Sequence, residues 1–269
     1  MNEPMNEPTN NLPPHKIERV VVWFSAGVTS AVAAKIALNK YKGTLPVHLV
    51  FCDTGSEHDD NFRFMDDVSG WLGVPVEIIR NEKYQNTHEV YRSSGFIKSI
   101  YGAKCTYELK KLPRRQYENL ATDLQVFGYD ADEADRANRF VENNPEVRAW
   151  FPLLDEGITK SMARQILLQH DIKEPITYSL GFTNANCLKA GCVKGGMGYW
   201  NHFKKFNPDA FWEMAKIERE VGHAICSTEE KGPNGERIKI PVYLDELPES
   251  AGNYKSEPAF QCGLFCGEY

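Results

Sequence analysis

The stretch from Val20 to Leu38 joins a buried strand to a helix through a turn of small residues, and it limits the possible folds more than any other segment. Residues 20–24 are apolar without polar alternation, as is typical of a strand buried on both faces. The alanine-rich segment after Ser30 predicts a helix. The turn between them would direct free helical N–H groups toward an anion such as phosphate or sulfate. The alternative is an ordinary strand-to-helix turn.

Further strands alternate with helices and predict an α/β fold. Residues 47–53 and 76–80 are rich in apolar residues and predict two further strands, and residues 57–73 between them have an amphipathic helical pattern. Two strand–helix–strand units in succession predict a parallel, doubly wound sheet. Asp53 and Thr54 follow the second strand, at the edge where such sheets bind ligands, and we expect them to contact ribose or adenine. Helix capping is the alternative role for Asp53.

The later part of the chain adds a strand, two capped helices and a hairpin. Residues 124–128 predict a fourth strand, which leads into the charged segment 129–136. We expect Arg136, oriented by Glu133, to bind a phosphate or sulfate; the alternative is an exposed acidic helix start with an i,i+3 ion pair. Helices are predicted from the Thr159 cap to residue 170 and from Asn207–Pro208 to Gly222, followed by a hairpin around residues 233–235.

The seven cysteines, an odd number, favour metal or redox use over a disulfide scaffold. Cys187 and Cys192 lie five residues apart in a glycine-rich loop that can direct both sulfurs at one centre. Thiolates with few neighbouring histidines select zinc or an iron–sulfur cluster. The spacing alone leaves zinc and the absence of a metal as open alternatives.

Charge and hydropathy predict a cytoplasmic protein. The net charge of −6 gives no overall attraction to nucleic acid or to anionic membranes, although residues 110–115 are locally basic. The sequence contains neither an apolar run of about 18 residues nor a secretory signal, so no membrane partner is expected. Residues 1–16, which begin with a repeated Met-Asn-Glu-Pro, are predicted to be a disordered tail.

Residues 25–30 resemble the Ser-Gly-Gly-x-Asp-Ser pyrophosphate loop of the adenine-nucleotide α-hydrolase (PP-loop) superfamily, specifically its phosphoadenylyl-sulfate (PAPS) reductase-like branch. Ala26 replaces the second glycine and Thr29 replaces the aspartate. Residues 105–113 and 128–136 resemble two further motifs of this family, and residues 150–154 resemble its fifth strand. Residues 261–266 resemble its C-terminal Glu-Cys-Gly-(Ile/Leu)-His motif, with Gln261 and Phe265 in place of Glu and His.

The resemblance implies a five-stranded, mostly parallel sheet of the HUP type with a cysteine-bearing helical and hairpin extension. The implied divisions are a tail at 1–16, a nucleotide-binding domain at 17–180 and the extension at 181–269. The implied cofactors are an adenine nucleotide (PAPS, adenylyl sulfate or ATP) and a [4Fe–4S] cluster, with zinc as the alternative metal. The nucleotide would contact Ser25, Ala26, Gly27, Thr29, Ser30, Asp53, Thr54, Lys110, Glu133 and Arg136, and the cluster ligands would be Cys105, Cys187, Cys192 and Cys266.

The activity implied by this resemblance is reduction or transfer of activated sulfur, with Cys262 as the catalytic thiolate and a thioredoxin-like dithiol as reductant. One alternative is an ATP-dependent iron–sulfur sulfurtransferase that thiolates tRNA or DNA, the only case in which nucleic acid is an expected partner. Another is a nucleotide or redox sensor without turnover, which the four departures from the family motifs favour. A homo-oligomer is compatible with all three.

Overall fold

The computed structural model describes residues 16–99, 101–185 and 187–257. The strands are β1 (Arg19–Trp23), β2 (Val47–Cys52), β3 (Val76–Ile79), β4 (Lys98–Ser99), β5 (Gly102–Ala103), β6 (Asp123–Val126), β7 (Ala149–Trp150), β8 (Cys226–Lys231) and β9 (Arg237–Val242). The α-helices are α1 (Val28–Tyr41), α2 (Asp60–Leu72), α3 (Thr87–Ser94), α4 (Lys104–Thr106), α5 (Leu112–Tyr117), α6 (Ala134–Asn143), α7 (Pro152–Asp155), α8 (Lys160–Gln169), α9 (Ile176–Ser179), α10 (Met197–Phe206) and α11 (Pro208–Val221). A π-helical turn spans Tyr107–Lys111, and 3-10 turns span Ala131–Glu133, Leu244–Glu246 and Tyr254–Ser256. No helix in these ranges is long and apolar enough to cross a membrane.

Five parallel strands form the central sheet in the order β3-β2-β1-β6-β7. The connections run outward from β1 through α1 and α2 to β3, and the chain then returns to place β6 on the other side of β1. The order therefore reverses between β1 and β6, and the crevice at their carboxyl ends is the switch point at which open α/β sheets bind ligands. The predicted α/β, doubly wound, five-stranded parallel fold is confirmed.

Alternate residues of β1 point to opposite faces of the sheet, as the pleat requires. Val20 and Val22 pack with α1, α2 and α8, whereas Val21 and Trp23 pack with α6 and Phe127. Because both faces are covered, residues 20–23 of β1 have no solvent-facing side and are all apolar, whereas Arg19 at the start of the strand is partly exposed and pairs with Asp123.

A third core cluster joins residues 84–109 to the C-terminal part of the chain. Tyr91 and Leu109 belong to it, together with Tyr199 and Trp200 of α10 and Phe211 of α11. This cluster fixes Cys105 and Cys192 in one packed unit, although 87 residues separate them in the sequence.

The predicted helix starts at Thr159 and Asn207 are confirmed, since both side chains accept a hydrogen bond from a first-turn N–H group. Gly222 ends α11 in the left-handed conformation, and β8 and β9 form the predicted hairpin. The fifth strand is shorter than predicted. It ends at Trp150, because Pro152 lacks an N–H group for the sheet and instead starts α7.

Glu218 connects α11 to the hairpin region and makes stability depend on pH. Its two carboxyl oxygens accept from the N–H groups of Ile225 at 2.5 Å and Leu244 at 2.6 Å. Burial raises the pKa of Glu218 to about 7, from an ordinary value of 4.5. The folded chain therefore holds this proton more tightly than the unfolded chain, so the associated stability is full below pH 4.5 and is lost as the pH rises through about 7.

We expect the free energy of unfolding to fall by roughly 2–3 kcal/mol from this group between those pH values. Glu218→Gln should remove this decline. It should also lower stability by about 1–3 kcal/mol at pH 5, because the amide offers only one acceptor for two N–H groups. Urea unfolding from pH 4.5 to 8 checks both effects, and an unchanged pH slope in the variant would contradict the assignment.

Candidate functional site

The loop at residues 25–30 leaves β1 and enters α1 in a tightly bonded turn. The Ser30 hydroxyl donates to the Gly27 carbonyl at 2.9 Å and accepts from the Ser25 N–H at 3.2 Å. Ala26 has a φ of 55°, a left-handed conformation that favours glycine and costs alanine about 1–2 kcal/mol. Ser25 is exposed and Thr29 is partly exposed, so both are accessible at the start of α1.

Gly128 brings the loop after β6 directly against the N-terminus of α1. A Cβ atom at Gly128 would lie 2.7 Å from both the backbone N and the Cα of Ser30, and 3.0 Å from the carbonyl carbon of Thr29. Only glycine permits this approach, because those neighbours are backbone atoms of a helix start. The loop after β6 and the start of α1 thus meet backbone to backbone at the switch point.

Tyr178 is a functional candidate that sequence reasoning missed. The Val28 N–H donates to its phenolic oxygen, and burial raises the pKa of Tyr178 to about 12. Arg164 lies 4.8 Å and Lys160 5.1 Å from the centre of its ring. The tyrosine oxygen therefore occupies the position of an acceptor at the first amide of α1, and two cations lie over its ring.

Asp53 and Thr54 lie at the carboxyl end of β2, as predicted, but they face different neighbours. One Asp53 oxygen accepts from the Gly55 N–H at 2.7 Å, and the other pairs with Arg80. The Thr54 hydroxyl donates to Glu57 at 3.0 Å and lies 3.5 Å from Cys187 Sγ.

Glu57 anchors the cysteine loop to the sheet. Its carboxylate accepts from the Cys187 N–H at 3.1 Å, and Asn61 donates to the Ala185 carbonyl at 2.7 Å. Cys187 has a φ of 45°, so its side chain is held by an unusual backbone conformation. These contacts place a cysteine against the strand end that was predicted to meet the nucleotide.

Cys105, Cys187 and Cys192 line one small buried cavity. Tyr91 lines the same cavity and donates a hydrogen bond to Cys105, while the Tyr199 hydroxyl accepts from the Cys192 N–H at 2.9 Å. Among the described residues, no group of three His, Cys, Asp or Glu side chains has the geometry for a single metal ion. The donor set is nevertheless the thiol set that an iron–sulfur cluster uses, and a cluster needs ligands around several iron atoms rather than one.

Lys110 and Cys52 are both buried and contact each other. Lys110 is buried in the π-helical turn, and its carbonyl oxygen accepts from Cys52 Sγ at 3.8 Å. Such turns widen a helix and are frequent at functional sites.

Glu133 and Arg136 form a compact unit after β6. Arg136 donates to Glu133 at 2.6 Å and lies 4.0 Å above the Tyr129 ring. Glu133 also accepts from the Asp130 N–H at 3.2 Å, which closes a capping box. Glu133 holds the Arg136 guanidinium, as the predicted anion contact requires. The same contact is also the i,i+3 ion pair that was the structural alternative, so the geometry fits both roles.

A separate cleft of about 770 Å³ lies between α6, the β4–β5 turn and the C-terminal hairpin. Its basic lining residues are Lys98, Arg136, Arg139, Lys194, His223 and Lys239. Lys194 and Ala103 line both this cleft and the cysteine cavity, so the two are adjacent.

The nucleotide, metal and catalytic roles of the sequence-predicted residues stay predictions. The structure brings Cys105, Cys187 and Cys192 together and places Thr54 against Cys187. Cys262 and Cys266 lie outside the described residues. Sequence reasoning missed Glu57, Tyr91, Tyr178 and Tyr199, because the contacts that make them candidates, to Cys187, Cys105, Val28 and Cys192, are made across 7 to 150 residues of the chain.

Comparison with known proteins adds three partial likenesses. A segment of 60 residues is 37% identical to the uncharacterized nin region protein ORF290 of Escherichia phage lambda and spans about a fifth of each chain (22% of this one, 21% of that one). The PAPS reductase from Candida auris, in a phosphate complex, is 15% identical with a TM-score of 0.43, over 65% of this chain and 82% of that one. The U34-tRNA thiolase NcsA from Methanococcus maripaludis, with its [4Fe-4S] cluster, is 14% identical with a TM-score of 0.46, over 77% of this chain and 74% of that one.

A family model covers a much larger part of the sequence than the phage relative does. The model of the phosphoadenosine phosphosulfate reductase domain matches residues 19–193, from the first strand of the sheet to the loop that carries Cys187 and Cys192. The chain therefore belongs to the phosphoadenosine phosphosulfate reductase domain family.

Proposed function

We propose that this protein is a PAPS or adenylyl-sulfate reductase-like enzyme that binds its nucleotide at the start of α1 and handles activated sulfur at cysteine thiolates. The observation that carries the proposal is the 3.5 Å contact between Thr54 and Cys187 Sγ. It makes the carboxyl edge of the sheet and the cysteine cavity immediate neighbours, so a nucleotide on that edge would present its sulfur near the thiols.

The start of α1 supplies the groups that an anionic nucleotide requires. Free N–H groups and the positive end of the helix dipole favour phosphate there. Tyr178 now accepts from Val28, and Lys160 and Arg164 lie around its ring. A phosphate oxygen would replace the tyrosine oxygen as the acceptor at this amide. Lys160, which donates to the Thr183 carbonyl, and Arg164, which is paired with Glu174, would offset part of its charge.

The cysteine cavity fits the thiolate ligand set of a [4Fe–4S] cluster. Cys105, Cys187 and Cys192 would hold it, with Cys266 as the proposed fourth ligand; zinc is the alternative metal. When bound, such a cluster supplies electrostatic or redox support to sulfur chemistry. Tyr91 and Tyr199 would orient two ligand loops, through the Cys105 sulfur and the Cys192 N–H.

The proposed chemistry uses Cys262 as nucleophile. Its thiolate attacks the sulfur of the sulfonate, an S–S bond forms, and the S–O bond to the phosphate breaks. The electron pair leaves with adenosine phosphate, and Cys262 becomes an S-sulfonate. A dithiol of the thioredoxin type then attacks Cys262 Sγ, releases sulfite, and is itself oxidised to a disulfide as the Cys262 thiol is restored.

Two measurements test the proposal. Calorimetric titration with ATP, AMP, adenylyl sulfate and PAPS should show tightest binding for one of the sulfated nucleotides. Sulfite release from that nucleotide, with a thioredoxin-type reductant, should be lost in Cys262→Ser and retained in Cys226→Ser. Failure of all four nucleotides to bind would overturn the proposal, and sulfite release that survives in Cys262→Ser would overturn the assigned nucleophile.

A further inference from the structure

We propose that the cleft between α6 and the C-terminal hairpin binds a single-stranded polynucleotide. This inference rests on the charges and shape of the cleft and goes beyond the proposed function, which requires only a small nucleotide at the start of α1.

The cleft concentrates positive charge in a chain whose net charge is −6. Five lysine or arginine side chains and His223 line it, and no carboxylate does among the described residues. Burial and the nearby Lys98 ammonium lower the pKa of His223, so the positive charge of the cleft comes from the lysine and arginine side chains. Cationic walls of this kind attract polyanions and raise their local concentration.

Two of the cations are available to a ligand, and the others are partly engaged. Arg139 and Lys239 are exposed, and neither has an ion pair with a carboxylate in the described ranges. Arg136 is paired with Glu133, and the half-buried Lys98 donates to the Val193 carbonyl, with Glu218 and Cys226 also facing it. The inference therefore depends mainly on Arg139 and Lys239.

The arrangement favours a chain of phosphates over one small anion. The basic residues come from β4, α6, the cysteine loop, the segment before β8, and β9, so they are distributed along the walls rather than convergent on one point. A backbone with one charge per nucleotide can follow such a distribution, whereas a single phosphate needs donors that converge.

An exposed aromatic ring favours a single strand over a duplex. Tyr101, in the β4–β5 turn, lines the cleft and is 67% exposed. Unpaired bases stack on such rings, and bases within a duplex are not free to do so. Because Lys194 and Ala103 also border the cysteine cavity, a strand in the cleft would pass beside the thiols.

The test measures fluorescence anisotropy of the full chain with labelled oligo(dT) and oligo(rU) of about 12 nucleotides, within the site sizes that single-strand binders use. We expect the double variant Arg139→Glu/Lys239→Glu to bind at least tenfold more weakly, with a shallower dependence of affinity on salt. The matched control is Lys42→Glu/Lys173→Glu, an equal charge change at exposed lysines after α1 and after α8.

Tyr101→Ala should weaken binding about tenfold, while Tyr101→Phe should bind like the parent. The oligo(dT) and oligo(rU) arms report whether the strand is DNA or RNA.

Three results would overturn the inference: equal weakening in the cleft and control variants, duplex binding as tight as single-strand binding, or complete displacement of the oligonucleotide by PAPS. Titration of PAPS and ATP on the same preparations separates this inference from the proposed function. Oligonucleotide binding without binding of PAPS or ATP would refute the proposed function and retain the polynucleotide site. Binding of PAPS or ATP without oligonucleotide binding would refute the polynucleotide site and retain the proposed function. Circular dichroism and thermal unfolding show whether each variant remains folded.

Discussion

Replacement of Cys187 by serine is expected to remove nearly all iron and acid-labile sulfide from the protein after anaerobic purification. Cys187 is buried, its sulfur borders the cavity shared with Cys105 and Cys192, and its N–H is fixed by Glu57. A serine hydroxyl at this position stays protonated near neutral pH and is a poor ligand for iron, which these clusters bind through thiolates. Cys105→Ser should have the same effect, because Cys105 borders the same cavity.

Cys226→Ser is the matched control, because Cys226 is equally buried but does not border this cavity. Burial raises the pKa of the Cys226 thiol to about 12, so it has little tendency to act as a thiolate ligand. Iron, zinc and sulfide contents are measured on parent and variants together. Equal metal content in the Cys187, Cys105 and Cys226 variants would refute the cysteine site, and zinc without sulfide would identify the alternative metal.

Gly128→Ala should weaken binding of the adenine nucleotide by at least tenfold. The added methyl group would lie 2.7 Å from two backbone atoms of Ser30, so either the loop after β6 or the start of α1 must move. Because a ligand at this helix start depends on the direction of its N–H groups, the displacement acts directly on binding. We also expect a loss of about 1–3 kcal/mol in the free energy of unfolding, as for other over-packed sites.

Gly70→Ala provides the control for this change. Gly70 lies inside α2, and nothing lies within 4 Å of a Cβ atom added there. Alanine should stabilise that helix by roughly 0.5–1 kcal/mol and leave nucleotide affinity unchanged. Calorimetry and urea unfolding on both variants make the comparison. Normal nucleotide affinity in Gly128→Ala would place the ligand away from the switch point.

The sequence by itself determined the elements whose causes are local. The continuous apolar run at 20–24 and the apolar residues 49–52 predicted β1 and β2, because the parts of a strand that are covered on both faces have no polar side. Thr159 and Asn207 predicted two helix starts, because a side chain that caps a helix bonds to a neighbouring N–H. The strand–helix alternation predicted the parallel sheet, since parallel strands require such crossovers.

Only the tertiary structure decided which side chains meet. Cys187 contacts Thr54 across 133 residues, and Tyr178 accepts from Val28 across 150. No periodicity or spacing encodes such contacts, because they arise when separate elements pack into one core and their loops are fixed by that packing. The basic cleft has the same origin. Arg139 and Lys239 are ordinary surface residues in the sequence, and they become part of one surface because the hairpin lies beside α6.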